Sequence, residues 1–298
     1  NDSNPIRLYC NFIRFSVACC FQIYTFAKKL IGYKTAAQKC NTMKIKKLIG
    51  VILFIFCLQT THLRAQSFSS DRPGAGDGVA TVEARYFQVE TGLDFSKLNP
   101  GEKAEFTDNS LPVMLLRYGL SEKVELRIIE SFVIHDKPNW SEFKQGSGFS
   151  NLTIGGKFQV CENPERATQA GVLAEVFVPT GSAEVTEDAL GLSLRFLHSW
   201  DFAARWNLGS NFGAYWFEEI ELSLMYSFAL GYTITDKLGV FVEPYGNYVQ
   251  LNDFELSFDG GFSYLIKPNL QVDINAGTGI TGDHYFIGFG FSWLIGKI

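Results

Sequence analysis

A strict alternation of large apolar and small or polar residues, held for about 12–16 residues at a time, restricts this chain more than any other feature. In 219–234 one face carries Ile220, Leu222, Leu224, Tyr226, Phe228, Leu230 and Tyr232. The other carries Glu221, Ser223, Met225, Ser227, Ala229, Gly231 and Thr233. The pattern recurs in 254–266 and in 205–216. Side chains of a β-strand point alternately to opposite faces, so each stretch is a ribbon with one greasy and one polar side. Such ribbons fit either a soluble antiparallel sheet or a membrane barrel. Length favours the barrel, since globular strands average about 5–6 residues and a tilted bilayer crossing needs about 9–11. Chemistry favours it too. The greasy face is rich in Phe, Tyr, Trp and Leu, and aromatics collect near segment ends (Tyr86, Phe95, Tyr118, Trp200, Trp216, Tyr232, Tyr264, Trp293), as in interfacial girdles.

Turn signals set the strand count. Short ones stand at 121–123, 162–165, 200–201, 235–237 and 267–269. Connections stand at 96–105, 136–147, 180–188, 217–218, 251–253 and 281–283. Together they separate twelve strands. The expectation is an all-β, transmembrane, antiparallel up-and-down β-barrel over 80–298, with ten or fourteen strands as alternatives where 102–116 is ambiguous. The tight turns would lie on the periplasmic side.

Charge divides the chain. Residues 1–65 hold ten basic residues and one acid, Asp2, for a net charge of +9, whereas 66–298 carry a net −14. An acidic body argues against a nucleic-acid partner. Met43-Lys44-Ile45-Lys46-Lys47, the apolar run Leu48–Leu58 and the polar exit to Ala65 read as a signal peptide over 43–65. Residues 1–42 contain no Met and read as an upstream translation artefact. Residues 66–79, with the glycine-rich 74–78, read as a flexible periplasmic lead or a lumen plug. Five of the six cysteines lie at or before Cys57, which leaves Cys161 alone in the body and excludes an intramolecular disulfide there.

Ser70-Asp71-Arg72-Pro73, followed by 87–92, 115–127 and the strand ending Pro179-Thr180-Gly181, resembles the opening and strands of a bacterial outer-membrane family labelled for the meta-pathway of phenol degradation. The resemblance covers most of 70–298. It implies an outer-membrane transporter of small solutes, hydrophobic or aromatic compounds included, with membrane lipid and the barrel assembly machinery as partners.

No constellation points to chemistry or a cofactor. His198 and Ser199 are adjacent and so face opposite sides of a strand. His135 and Asp136 lack the spacing of a metal site. The glycine-rich stretch lacks the Lys of a phosphate loop. The functional candidates are charges that alternation turns inward: Glu90, Asp94, Arg117, Glu125, Arg127, Glu175, Arg195, Arg205, Glu221, Glu243, Glu255, Asp259 and Asp273. The last five acids, from Glu221 to Asp273, have no inward base on their own strands and predict an acidic sector that favours cations modestly. A structural barrel with a plugged lumen, or a lipid-modifying barrel enzyme, are the alternative readings.

Overall fold

The structure is a computed structural model that describes residues 68–98, 106–136, 145–186, 188–218 and 220–297. The expected signal peptide and upstream segment lie outside the described residues. The strands are β1 (Tyr86–Leu98), β2 (Phe106–Ser121), β3 (Val124–Asp136), β4 (Gly146–Phe149), β5 (Leu152–Asn163), β6 (Thr168–Val178) and β7 (Gly191–Ala203). They continue with β8 (Trp206–Phe217), β9 (Ile220–Thr233), β10 (Leu238–Val249), β11 (Asp253–Lys267), β12 (Leu270–Gly279) and β13 (His284–Lys297). The short β4 and the longer β5 both pair antiparallel with β3, at Phe132–His135 and Val124–Ile129. They are one stave interrupted at Ser150 and Asn151, so the thirteen segments make the twelve expected staves.

Each stave pairs antiparallel with its neighbours in sequence, and β1 closes the ring on β13, with Gly92 opposite Gly290 and Glu90 opposite Ser292. Closure leaves no strand edge unpaired, which is what a sheet needs in lipid. No helix among the described residues is long and apolar enough to cross a membrane, so strands make the crossing.

Burial is inverted relative to a soluble protein. Among the described residues, 20 polar or charged residues are buried against 7 hydrophobic ones, so the protected space is the lumen and not an oily core. Leu194, Phe212, Phe254, Phe262, Ile274 and Phe289 face outward and exposed, in a belt that only lipid would cover.

Residues 66–79 were read as a flexible periplasmic lead or a lumen plug, with the barrel starting at 80. Residues 68–79 take the second form, inside the barrel, and the wall starts later than expected, at Tyr86. The segment Phe68–Arg85 runs up the lumen, turns back on itself and leaves at the end where the tight turns lie. The Gly78 N–H ties the turn by donating to Asp71 at 3.0 Å. At its exit, Ala84 bridges to Gly119, and Arg85, at φ 69° in the left-handed region, donates its N–H to the Gly119 carbonyl at 2.7 Å. That bend separates the lead from β1. The lead is held inside because inward cations on β2, β3, β5 and β7 need counter-ions that the wall alone does not supply.

A charge-locked lead in the barrel lumen

Alternation fixes which side chains enter the lumen, and register fixes which of them meet. On the β1–β7 side, Arg117 of β2 grips Glu125 of β3 with two bonds of 2.8 Å and reaches Glu90 of β1 at 2.6 Å. Glu90 in turn accepts from the lead: Ser70 Oγ at 2.9 Å, and the N–H groups of Asp71 and Arg72 at 3.1 Å each.

Two lead carboxylates answer the remaining cations. Asp71 accepts from Lys157 of β5 at 2.7 and 2.8 Å and from Arg127 of β3 at 3.1 Å, with Arg117 at 3.5 Å. Asp77 pairs with Arg127 at 2.9 Å and with Arg195 of β7, and Arg195 also binds Glu175 of β6. Burial alone would raise the Asp71 carboxyl. Arg117, Lys157 and Arg127 outweigh it and hold it below its usual range. Asp77 follows the same balance: burial opposes its ionisation, and Arg195, Arg127 and Lys157 drive it well below the ordinary value. The lead also has apolar footholds: Val79 packs against Leu173 and Leu197, and Phe68 and Val82 are buried too.

The β9–β13 side is held differently. Arg72 donates to Asp273 of β12 at 3.3 Å and lies 3.9 Å from Asp94 of β1. It can do so because Gly92 and Gly290, partners across the β1–β13 seam, carry no side chain. A Cβ on either would come within 2.5 Å or less of the Arg72 guanidinium. Glu243 of β10 accepts the Ala75 N–H at 2.9 Å. Asp77 and Asn211 of β8 exchange two bonds, of 2.9 and 3.0 Å.

Most of the expected inward charges therefore meet in the lumen: Glu90, Asp94, Arg117, Glu125, Arg127, Glu175, Arg195, Glu243, Asp259 and Asp273. Two do not join them. Arg205 was placed inside a strand by reading a turn at Trp200-Asp201. β7 in fact runs on to Ala203, so Arg205 sits exposed in the turn and donates to the Ile234 carbonyl at 2.8 Å. Glu255 is at the barrel rim and exposed, bonded by Asn247 at 3.4 Å. The Glu221 side chain lies outside the described residues. Sequence reasoning missed Lys157, although it alternates correctly with Ile154, Gly156 and Phe158. It also missed Asp71 and Asp77, whose partners are 40 or more residues away in the chain.

The lumen shows little that could perform catalysis. Ser257 and His284 approach at 3.4 Å, but among the described residues no carboxylate orients that imidazole. No group of three metal-binding side chains occurs among the described residues.

No curated protein matches the chain. Among solved structures it is similar to a KdgM porin in complex with disordered oligogalacturonate, 8% identical at a TM-score of 0.50, over 70% of this chain and 99% of that one. It is also similar to the NanC porin, 9% identical at 0.47, over 70% and 100%. A third is the CymD monoaromatic hydrocarbon channel, 12% identical at 0.41, over 71% and 89%. At 8% identity the KdgM likeness is one of fold, a closed antiparallel barrel. The sequence match is more telling: over residues 70–295, from the lumenal lead to the last stave, the chain belongs to the family described as "Putative MetA-pathway of phenol degradation".

Proposed function

We propose that the protein is an outer-membrane channel for small solutes, and that the lead is its gate. The observation that carries this is how the lead is held. Among the described residues its only backbone pairing to the wall is at the exit, Ala84 with Gly119, while Ser70 to Asp77 are bound through side chains and salt bridges. A plug woven into the sheet could not leave without breaking the barrel. A plug held by ion pairs can exchange them for water and bulk ions, at a cost set by how well the lumen hydrates. The solute class, small aromatic compounds such as phenols, follows from the family description. The acidic sector of Glu243, Asp259 and Asp273 supports a modest preference for cationic or neutral solutes over anions.

Planar-bilayer conductance of the purified protein tests the reading. Wild type should conduct rarely, and Asp71→Asn with Asp77→Asn should raise the open fraction at least tenfold. A second reading, a structural barrel with a filled lumen, is favoured by how fully Asp71 and Asp77 are partnered. It stands if neither protein passes ions nor admits phenol into liposomes.

A further inference from the structure

The apex of the lead does not fill the lumen. A cavity of about 190 Å³ remains between the lead residues 72–75 and Asp94, Asp259, Asn275 and Phe286 of the wall. Asp259, on β11, is 1% exposed, and neither of its carboxylate oxygens accepts a hydrogen bond. Asn275, on β12 and 8% exposed, presents an amide oxygen that is equally unpartnered. Directly opposite Asp259 in the β10–β11 register stands Glu243, also 1% exposed, with one oxygen on the Ala75 N–H and the other on nothing.

Two buried carboxylates in register, with spare oxygens, call for a positive charge. The wall cannot provide it. Residues 206–298 contain three bases, Lys237 in a turn and Lys267 and Lys297 at strand ends. The nearest cation of the lead, Arg72, is engaged by Asp273 and Asp94.

We propose that this cavity is a binding site for one small monovalent cation, held by Asp259 and the Asn275 amide oxygen, with the charge of Glu243 beside Asp259 in the register adding to its attraction. The ligands are hard oxygens, which suit an alkali ion. The absence, among the described residues, of a cluster of three acids or other strong ligands disfavours a divalent ion, which needs more carboxylate. The volume exceeds what a bare ion occupies and admits either an ion with some of its water or a small primary ammonium, for which the Phe286 ring offers a cation–π surface.

Calorimetric titration of the full barrel in zwitterionic detergent, with tetrabutylammonium as the only other cation, tests this without requiring transport. A failure of the channel reading therefore leaves the result intact. The arms are sodium, potassium, methylammonium and magnesium chloride. At least one monovalent arm should saturate at one site, and Asp259→Asn should weaken it at least tenfold. Saturation by methylammonium alone identifies an organic amine, and by sodium or potassium alone an alkali ion. Absence of saturable heat in every monovalent arm, tightest binding by magnesium, or an Asp259→Asn protein that binds as wild type does overturns the proposal. If Asp259→Asn does not fold, Asn275→Leu takes its place with the same expected loss.

Discussion

Both sides of the lumen bury charged side chains at inward positions, yet they balance that charge in opposite ways. On the β1–β7 side, Arg117, Arg127, Lys157 and Arg195 are met by wall acids and by Asp71 and Asp77 of the lead, so every cation has a carboxylate. On the β9–β13 side, Asp273 takes the one lead cation, Arg72, while Glu243 and Asp259 keep spare oxygens. The lead brings two acids to the basic side and one base to the acidic side. The first exchange locks it in place. The second leaves a vacancy for another cation. A buried ion pair is costly to break and an unpaired buried charge is costly to keep, so the same chemical change should have opposite consequences on the two sides.

Asp71→Asn should show the largest effect. It removes the charge that Lys157, Arg127 and Arg117 converge on and leaves three buried cations short of a counter-ion, a loss of about 3–5 kcal/mol. Urea unfolding in lipid vesicles, with proteinase K cleavage within residues 68–80 as a reporter of release, should show both a lower midpoint and a faster nick. A seated, protected lead in this variant would mean that the lock lies elsewhere.

Acid should reach the same end without mutation. Asp71 and Asp77 ionise below the usual carboxylate range in the folded protein, so their stabilisation is fully present above an unfolded value of about 3.9 and is lost as pH falls through the lowered values. Proteinase K-resistant lead, assayed after return to neutral pH with crosslinker added in acid, should be constant from about pH 8 to 5 and decline only below about 4. Release between pH 7 and 5 would contradict the assignment.

Gly290→Ala sharpens the comparison on the acidic side. A Cβ there would lie 2.3 Å from Arg72 Nε, so the guanidinium must leave Asp273, at a cost of about 1–3 kcal/mol. The unfolding midpoint should drop less than for Asp71→Asn. The smallest effect belongs to Asp259→Asn in cation-poor buffer. It deletes a buried charge that no hydrogen bond satisfies, so stability should change by less than about 1 kcal/mol or rise. A loss matching that of Asp71→Asn would erase the distinction between the two sides.

The barrel was legible because period two is a local signal, written into every stave. Turn residues such as Lys267-Pro268-Asn269 marked the strand ends within a residue or two. Alternation gives the face of a residue but not its height, which is why Glu255, correctly inward, proved to be at the rim. Arg205 failed for a different reason: Trp200-Asp201 looked like a turn, but the chain continued as strand to Ala203. The lead was only half legible, as a flexible segment or a plug. Its glycines read as a loop wherever the loop lies, and what holds it are partners on β2 to β13 that come together only once the barrel has closed.

That dependence gives the Arg72 contact a role in timing. Its guanidinium lies over the seam between the first stave and the last, touching Asp94 of β1 and Asp273 of β12 across the bare backbones of Gly92 and Gly290. The Asp273 anchor is not in position until some 200 residues of intervening sheet have been laid down, as its separation from Arg72 shows. The contact cannot help the ring to close. It acts afterwards, as a latch: interactions absent from the folding transition state slow unfolding and leave the folding rate unchanged. The first residues of the lead thus set how long the finished barrel lasts, not how quickly it forms.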